Sequence, residues 1–348
     1  MESNRRDILK ATGGALTGTA AGIGQANAQE DDGETGTPTE TEEPTETEQG
    51  DGNQDANLLA NCWMHGGGTT PFRGAHGHRH WSPWSLERRA EKLGEIGFNA
   101  IGLFHDDIRY RVENEFTEGD RTARLEQMNS VLQSNGIDFV EVEFLTEWIL
   151  PEDDYRYQDN SDNRDLLLEA ADVLDANHIK VGNINGYPRA TEDVQQRFAD
   201  LSAQFAKVDT LVGMEFFPVD PNVDNIADAM ELTSLARGEG TGGLYLDLWH
   251  LMKMDVNFDN ISALSADDIV AVEFQDGYID TEMDFLQETI NLRKVPGEGE
   301  FPIADWVSSV RDAGFDGPWG LEILSEEFRR LSMNDAYPLA FNAGAEYI

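Results

Sequence analysis

Five short apolar runs of this chain end in an acid or an amide, and those side chains are the ones placed to do chemistry. Val212-Gly213-Met214 runs into Glu215, Leu244-Tyr245-Leu246 into Asp247, Val272-Glu273-Phe274 into Gln275 with Asp276, and Gly320-Leu321 into Glu322; Val140-Glu141-Val142 adds Glu143. If the runs are strands of one parallel barrel, their ends meet on one axis, where converging carboxylates raise each other's pKa unless a cation neutralises them. Glu215, Asp247, Gln275 and Glu322 form an all-oxygen set. It suits a hard divalent ion (Mn2+, Mg2+ or Co2+) better than zinc, which favours His or Cys. Taken singly, each reads equally well as part of a polar barrel layer paired with Lys or Arg.

Other residues surround that set. His250, three positions after Asp247 and beside Trp249, is a candidate to polarise or protonate a substrate oxygen, or else a packed core histidine. Lys180, closing His178-Ile179-Lys180, is a candidate contact to a substrate oxygen, with pairing to Glu215 or Glu143 as the equal alternative. The alternating His76, His78 and His80 invite a separate metal reading. Gly77 between them argues instead for a mobile lid or a solvated surface loop. Trp63, Trp81 and Trp84 are candidates for an apolar wall against a ring-shaped substrate, or for core.

Apolar runs rich in Val, Ile, Leu and Phe recur with helical patterns between them, the rhythm of βα units. Eight are expected to be strands: 58–63, 100–104, 138–144, 178–182, 210–216, 243–248, 269–275 and 319–324. Helical periodicity falls over 86–96, 121–135, 164–176, 191–207, 225–236 and 302–313, with Asn135-Gly136 and Gly314 as left-handed stops. Eight strands with crossovers predict a (β/α)8 barrel. An open doubly wound sheet would want a glycine turn that opens a helix, whereas Gly66-Gly67-Gly68 opens a His-rich loop.

The barrel is expected over residues 57–348. Residues 1–28 read as a twin-arginine export signal: Arg5-Arg6, a weakly apolar stretch, then Ala26-Asn27-Ala28. Export to the cell surface or medium is the expected destination. Residues 29–56 hold eleven Asp or Glu and no Lys or Arg, which predicts a disordered linker. Residues 57–348 hold 54 acids against 22 bases, so the negative charge belongs to the barrel itself. Such a surface repels nucleic acid and suits concentrated salt, as in haloarchaeal proteins. Cys62 is the only cysteine, so no disulfide forms within the chain. No later segment is long and apolar enough to span a membrane.

The segments Val212 to Pro218, Gly243 to His250, Val272 to Gly277, Arg293 to Glu300 and Gly320 to Ser325 resemble successive signatures of the sugar phosphate isomerase/epimerase family, the xylose isomerase-like barrels. Asn61-Cys62-Trp63 and Ser82 to Arg89 resemble it too, so the likeness covers 57–330. The resemblance implies that Glu215, Asp247, Gln275 and Glu322 bind the metal and that Glu215 and Glu322 exchange protons. It implies that His250 and Arg293 bind substrate; Lys180 and Glu143 are expected beside them from their own strand-end positions. Many isomerases and epimerases of the family have His where Gln275 stands, and members resembling 3-dehydroshikimate dehydratase have Gln. The expected activity is therefore a metal-dependent isomerase, epimerase or dehydratase that removes a proton α to a carbonyl of a small polyhydroxylated substrate. An exported, non-catalytic ligand- or metal-binding barrel is the alternative. Endonuclease IV-like cleavage would need a His-rich zinc site and a basic groove, and the chain offers neither. Oligomeric state is left open.

Overall fold

The computed structural model of the chain describes residues 56–65 and 80–348. The proposed signal over 1–28 and the linker up to residue 55 lie outside them, as do His76 and His78. Eight parallel strands close a barrel in sequence order: β1 (Leu58–Ala60), β2 (Ala100–Phe104), β3 (Phe139–Leu145), β4 (His178–Gly182), β5 (Leu211–Glu215), β6 (Gly242–Asp247), β7 (Ile269–Phe274) and β8 (Trp319–Leu321). β1 lies between β2 and β8, with Leu59 opposite Ala100 and Leu58 opposite Trp319.

The crossovers form because helix signals follow each strand. In the helix Leu86–Ile96, Ser85 accepts from the Arg88 N–H at the N-terminus and Gly97 ends it at φ 119°. Asp120 caps Arg121–Ser134, and Gly136 takes the left-handed turn that follows. The outer faces of the strands, Val140 and Val142 on β3 or Leu244 and Leu246 on β6, are buried under these helices. That burial of apolar surface is the main stabilising term of the barrel.

Several expected strands end early, three of them for a local reason in the turn that follows. β1 stops at Ala60 because the Asn61 side chain accepts from the Trp63 N–H at 3.0 Å and turns the chain into a 3-10 helix, Cys62–His65. β6 ends at Asp247, whose Oδ1 accepts from the Trp249 N–H at 2.9 Å and opens the helix Leu248–Lys253, so His250 stands on a helix. Beyond Leu321 the chain curls, with the Leu324 N–H donating to the Glu322 carbonyl, and Glu322 sits just past β8.

The inward faces are unusually polar. Period-two alternation turns Glu141 and Glu143, His178 and Lys180, Tyr245 and Asp247, and Glu273 and Gln275 toward the axis, all buried. Small residues make room for them: a Cβ on Gly320 would lie 2.5 Å from Cγ of Glu273.

Candidate active site

The floor of the site is a hydrogen-bonded layer deep in the barrel. Oε2 of Glu141 accepts from the Tyr245 hydroxyl and faces Nε2 of His178, both at 2.6 Å. Burial penalises this carboxylate, yet Lys180, His178 and Tyr245 outweigh it and hold Glu141 down to about 2. Asn61 spans the next step up, donating from Nδ2 to Glu273 Oε1 at 2.6 Å and to Glu143 Oε1 at 3.1 Å.

Above it, two cations hold four of five converging carboxylates. Nζ of Lys180 meets Glu143 at 3.1 Å, Glu273 at 2.9 Å and Glu322 at 3.1 Å, and donates hydrogen bonds to the last two. The sequence left its pairing open between Glu143 and Glu215; the contact made is to Glu143, with Glu273 and Glu322. The Arg293 guanidinium joins Asp247 Oδ2 at 2.9 Å to Glu322 Oε2 at 2.7 Å. Gln275 donates from Nε2 to Asp247 Oδ1 at 2.8 Å. Nε2 of His250 stands 3.4 Å from both Glu215 Oε1 and Asp247 Oδ2. Its ring lies edge-on to Phe217, centroids 4.4 Å apart.

The electrostatics record an excess of negative charge. Burial, reinforced by Asp247, pushes Glu215 up to about 8; burial, with Glu141 and Glu322, pushes Glu143 up to about 8. Glu273 and Glu322 are raised too, first by burial. Asp247 alone of the five is held low: burial works against its charge, but Arg293 and His250 outweigh it. Burial, with Arg293 nearby, takes His250 down to about 4, which leaves a neutral imidazole at neutral pH.

Two tests on the residues favour a divalent cation here. One side-chain oxygen from each of Glu215, Asp247, Glu273 and Glu322 lies within 4.8 Å of the others, and one atom from each of Glu215, Asp247 and His250 does likewise. Oε1 of Gln275 and Nδ1 of His250 are buried and have no hydrogen-bond partner. A buried amide oxygen left bare beside converging carboxylates is the donor set expected of a hard cation.

The structure thus brings together Glu143, Lys180, Glu215, Asp247, His250, Gln275, Arg293 and Glu322. The sequence reading missed Glu273, and the signal was present: it lies on β7 two residues before Gln275, which directly follows the strand, so the alternation puts both on the axis. Glu141, His178 and Tyr245 were missed because polar residues below a strand end carry no motif; Asn61, just past β1, stood in a segment resembling the family but was given no role. Asp276 belongs elsewhere. It pins the loop after β7, accepting from the N–H groups of Gly277, Gly297 and Phe301 at 2.8, 3.0 and 2.9 Å.

His80, expected on a solvated loop or lid, is instead buried. Its Nδ1 lies 3.0 Å from Asp106 Oδ2, and its ring stands edge-on to Trp63 and Phe104. Trp63 packs with Cys62, Phe104 and Leu324 in a small apolar cluster at the strand ends, against Phe144. Trp81 stacks on Tyr110 and Trp84 meets Tyr337 edge-on.

The chain belongs to a family defined by this fold: the model of the xylose isomerase-like TIM barrel matches residues 90–345. The 3-dehydroshikimate dehydratase of Pseudomonas aeruginosa is 32% identical over 87 residues, which is 25% of this chain and 14% of that protein. The match therefore spans a small part of the relative's length. Among solved structures, the IolI protein with a bound zinc atom superposes with TM-score 0.63 at 14% identity, over 84% of this chain and 99% of that one. The 3-keto-D-glucoside 4-epimerase YcjR of E. coli gives TM-score 0.56 at 13% identity, over 84% and 98%. At such identities the two structures speak for the fold alone.

Proposed function

We propose that this barrel is a divalent-metal-dependent isomerase, epimerase or dehydratase that removes a proton α to a carbonyl of a polyhydroxylated substrate. One observation carries the reading: Glu215, Asp247 and Glu322 converge with the bare Oε1 of Gln275 at the C-terminal ends of β5 to β8, where barrels of this kind do chemistry. Those four residues would hold the ion. When bound, it would act as a Lewis acid on the substrate carbonyl and make the neighbouring C–H more acidic.

The protein's own groups divide the remaining work. Glu215 and Glu322 are the carboxylates placed to accept and return the proton. Arg293 and Lys180 fix Glu322 by one oxygen each, and this holds its plane still during transfer. His250, neutral and with Nδ1 free, is suited to hydrogen-bond a substrate oxygen. Phe217 and the cluster around Trp63 line the mouth with apolar surface, which keeps water from the reacting carbon. Gln275 and the similarity to dehydroshikimate dehydratases favour loss of a β-hydroxyl as the fate of the deprotonated substrate. Epimerisation or isomerisation would return the proton instead.

The test is solvent deuterium entering the α-carbon of a ketose, an inosose or dehydroshikimate, with Mn2+, Mg2+ or Co2+ added and with chelator. Exchange that needs the ion and is lost in Glu322→Gln supports the reading. Full exchange under chelator would sink it, and metal binding without exchange would leave a non-catalytic binding barrel.

A further inference from the structure

We infer that the opposite end of the barrel holds a second binding site, one for a small organic cation with an apolar or aromatic body. A cavity of about 380 Å³ opens there, where β3, β4, β5 and β7 begin. Its size falls within the about 300–1,000 Å³ of pockets that hold small ligands. Residues at this face of such a barrel ordinarily serve stability. Here an imidazole, aromatic walls and free carboxylates line one cavity instead. Its floor is His178, a residue only 3% exposed. Nε2 of His178 faces Glu141 Oε2 at 2.6 Å, and an ionised carboxylate can only accept, so the ring carries a proton on Nε2. The other nitrogen, Nδ1, makes no hydrogen bond within the described residues, and in a neutral imidazole it offers a lone pair to the cavity.

The walls are apolar. Phe139, whose ring centroid lies 5.6 Å from that of His178, stands with Phe315 and with Leu211, which is 40% exposed although it lies on a strand. Asp209 and Asp316 complete the lining, and both are exposed. These groups select for charge and shape together. An ammonium donates to the Nδ1 lone pair and gains opposite charge from the two carboxylates. The aromatic rings attract the cation and cover its apolar body. A metal ion is the poorer fit, because His178, Asp209 and Asp316 do not form a group whose ligand atoms all lie within 4.8 Å of one another. Glu141, held by His178 and by the Tyr245 hydroxyl, stands between this cavity and the carboxylates above, so the two sites are separate.

Calorimetry on the full chain tests this, with benzylamine as the probe and benzyl alcohol as its neutral counterpart of nearly equal shape. About 1 M KCl shortens the reach of the acidic surface to about 3 Å. A pH of about 8 keeps the amine charged and an ordinary imidazole neutral. Benzylamine should bind saturably at one site, at least about fivefold more tightly than the alcohol. Leu211→Trp, at a residue already partly exposed, should fill the cavity and abolish binding while the melting temperature moves little. Asp209→Asn and Asp316→Asn should each weaken benzylamine by about two- to fivefold and leave the alcohol unmoved. Glu126→Gln, at an exposed acid on the helix Arg121–Ser134, should change neither. Equal affinity for amine and alcohol would overturn the charge class. No binding, binding that does not saturate, binding that survives Leu211→Trp, or a loss in Glu126→Gln as large as in the Asp variants would overturn the site. None of these readouts depends on the metal or the reaction proposed above.

Discussion

Gln275, just past the end of β7, and Glu273, within it, face the same axis, yet they present different chemistry. Glu273 is engaged by Lys180 and Asn61, whereas Gln275 keeps one oxygen bare. Gln275→Met should therefore leave the fold intact and weaken Mn2+ binding by roughly 10–100-fold, as calorimetry would show; an unchanged affinity would remove Gln275 from the ligand set. Arg293 is a buried cation between two carboxylates, so Arg293→Met leaves two acids facing each other. The expected cost is about 3–5 kcal/mol in urea unfolding with chelator present. Mn2+ should return more stability to this variant than to the parent, because it then supplies the missing positive charge. An equal Mn2+ effect in both would count against a metal at this position.

At the scale of elements, the loops that carry the site are fixed by acids the chemistry does not use. Asp107, after β2, accepts from the Ser82 N–H at 3.0 Å, from Arg89 at 2.6 Å and from Arg111 at 2.9 Å, so it ties three segments together. Burial works against its charge, but Arg89 and Arg111 hold its carboxyl below the usual range. A depressed carboxylate contributes stability that is complete above its unfolded pKa, about 3.9, and is lost as pH falls through the folded value. Acid unfolding should therefore steepen below about pH 4, and Asp107→Asn should be less stable at neutral pH and flatter in that acid range. A parallel pH profile for the two proteins would show that Asp107 does not carry the effect. The loop after β7 depends in the same way on Asp276, and a Cβ on Gly299 would lie 2.4 Å from its Oδ1. Gly299→Ala should thus disturb the approach to Arg293, raising KM while the barrel's melting temperature moves little.

At the scale of the whole molecule the dominant quantity is charge. The excess of 54 acids over 22 bases in residues 57–348 repels itself over a Debye length of about 10 Å at 0.1 M salt, which falls to about 3 Å at 1 M. We propose that the fold is adapted to concentrated salt. Its melting temperature should climb by several degrees between these KCl concentrations and stay level in sucrose of matched osmolality. A flat response to KCl would set the adaptation aside. Among the described residues no helix is long and apolar enough to cross a membrane.

The sequence by itself determined the barrel, because strand and helix periodicities are local and eight such units close in one way. It also determined the acids at the ends of β5, β6 and β8, since a strand end is a position along the chain. What it could not determine was contact. Whether Lys180 meets Glu143 or Glu215, that Glu273 joins the cluster, and that His80 turns inward to Asp106 depend on neighbours 26 to 212 residues distant in sequence. Pairing across a barrel axis is fixed by side-chain length and by the room glycines such as Gly320 leave, and neither repeats along a strand. The metal-ligand candidates were legible as residues. Only the tertiary structure showed that the two cations beside them already have partners.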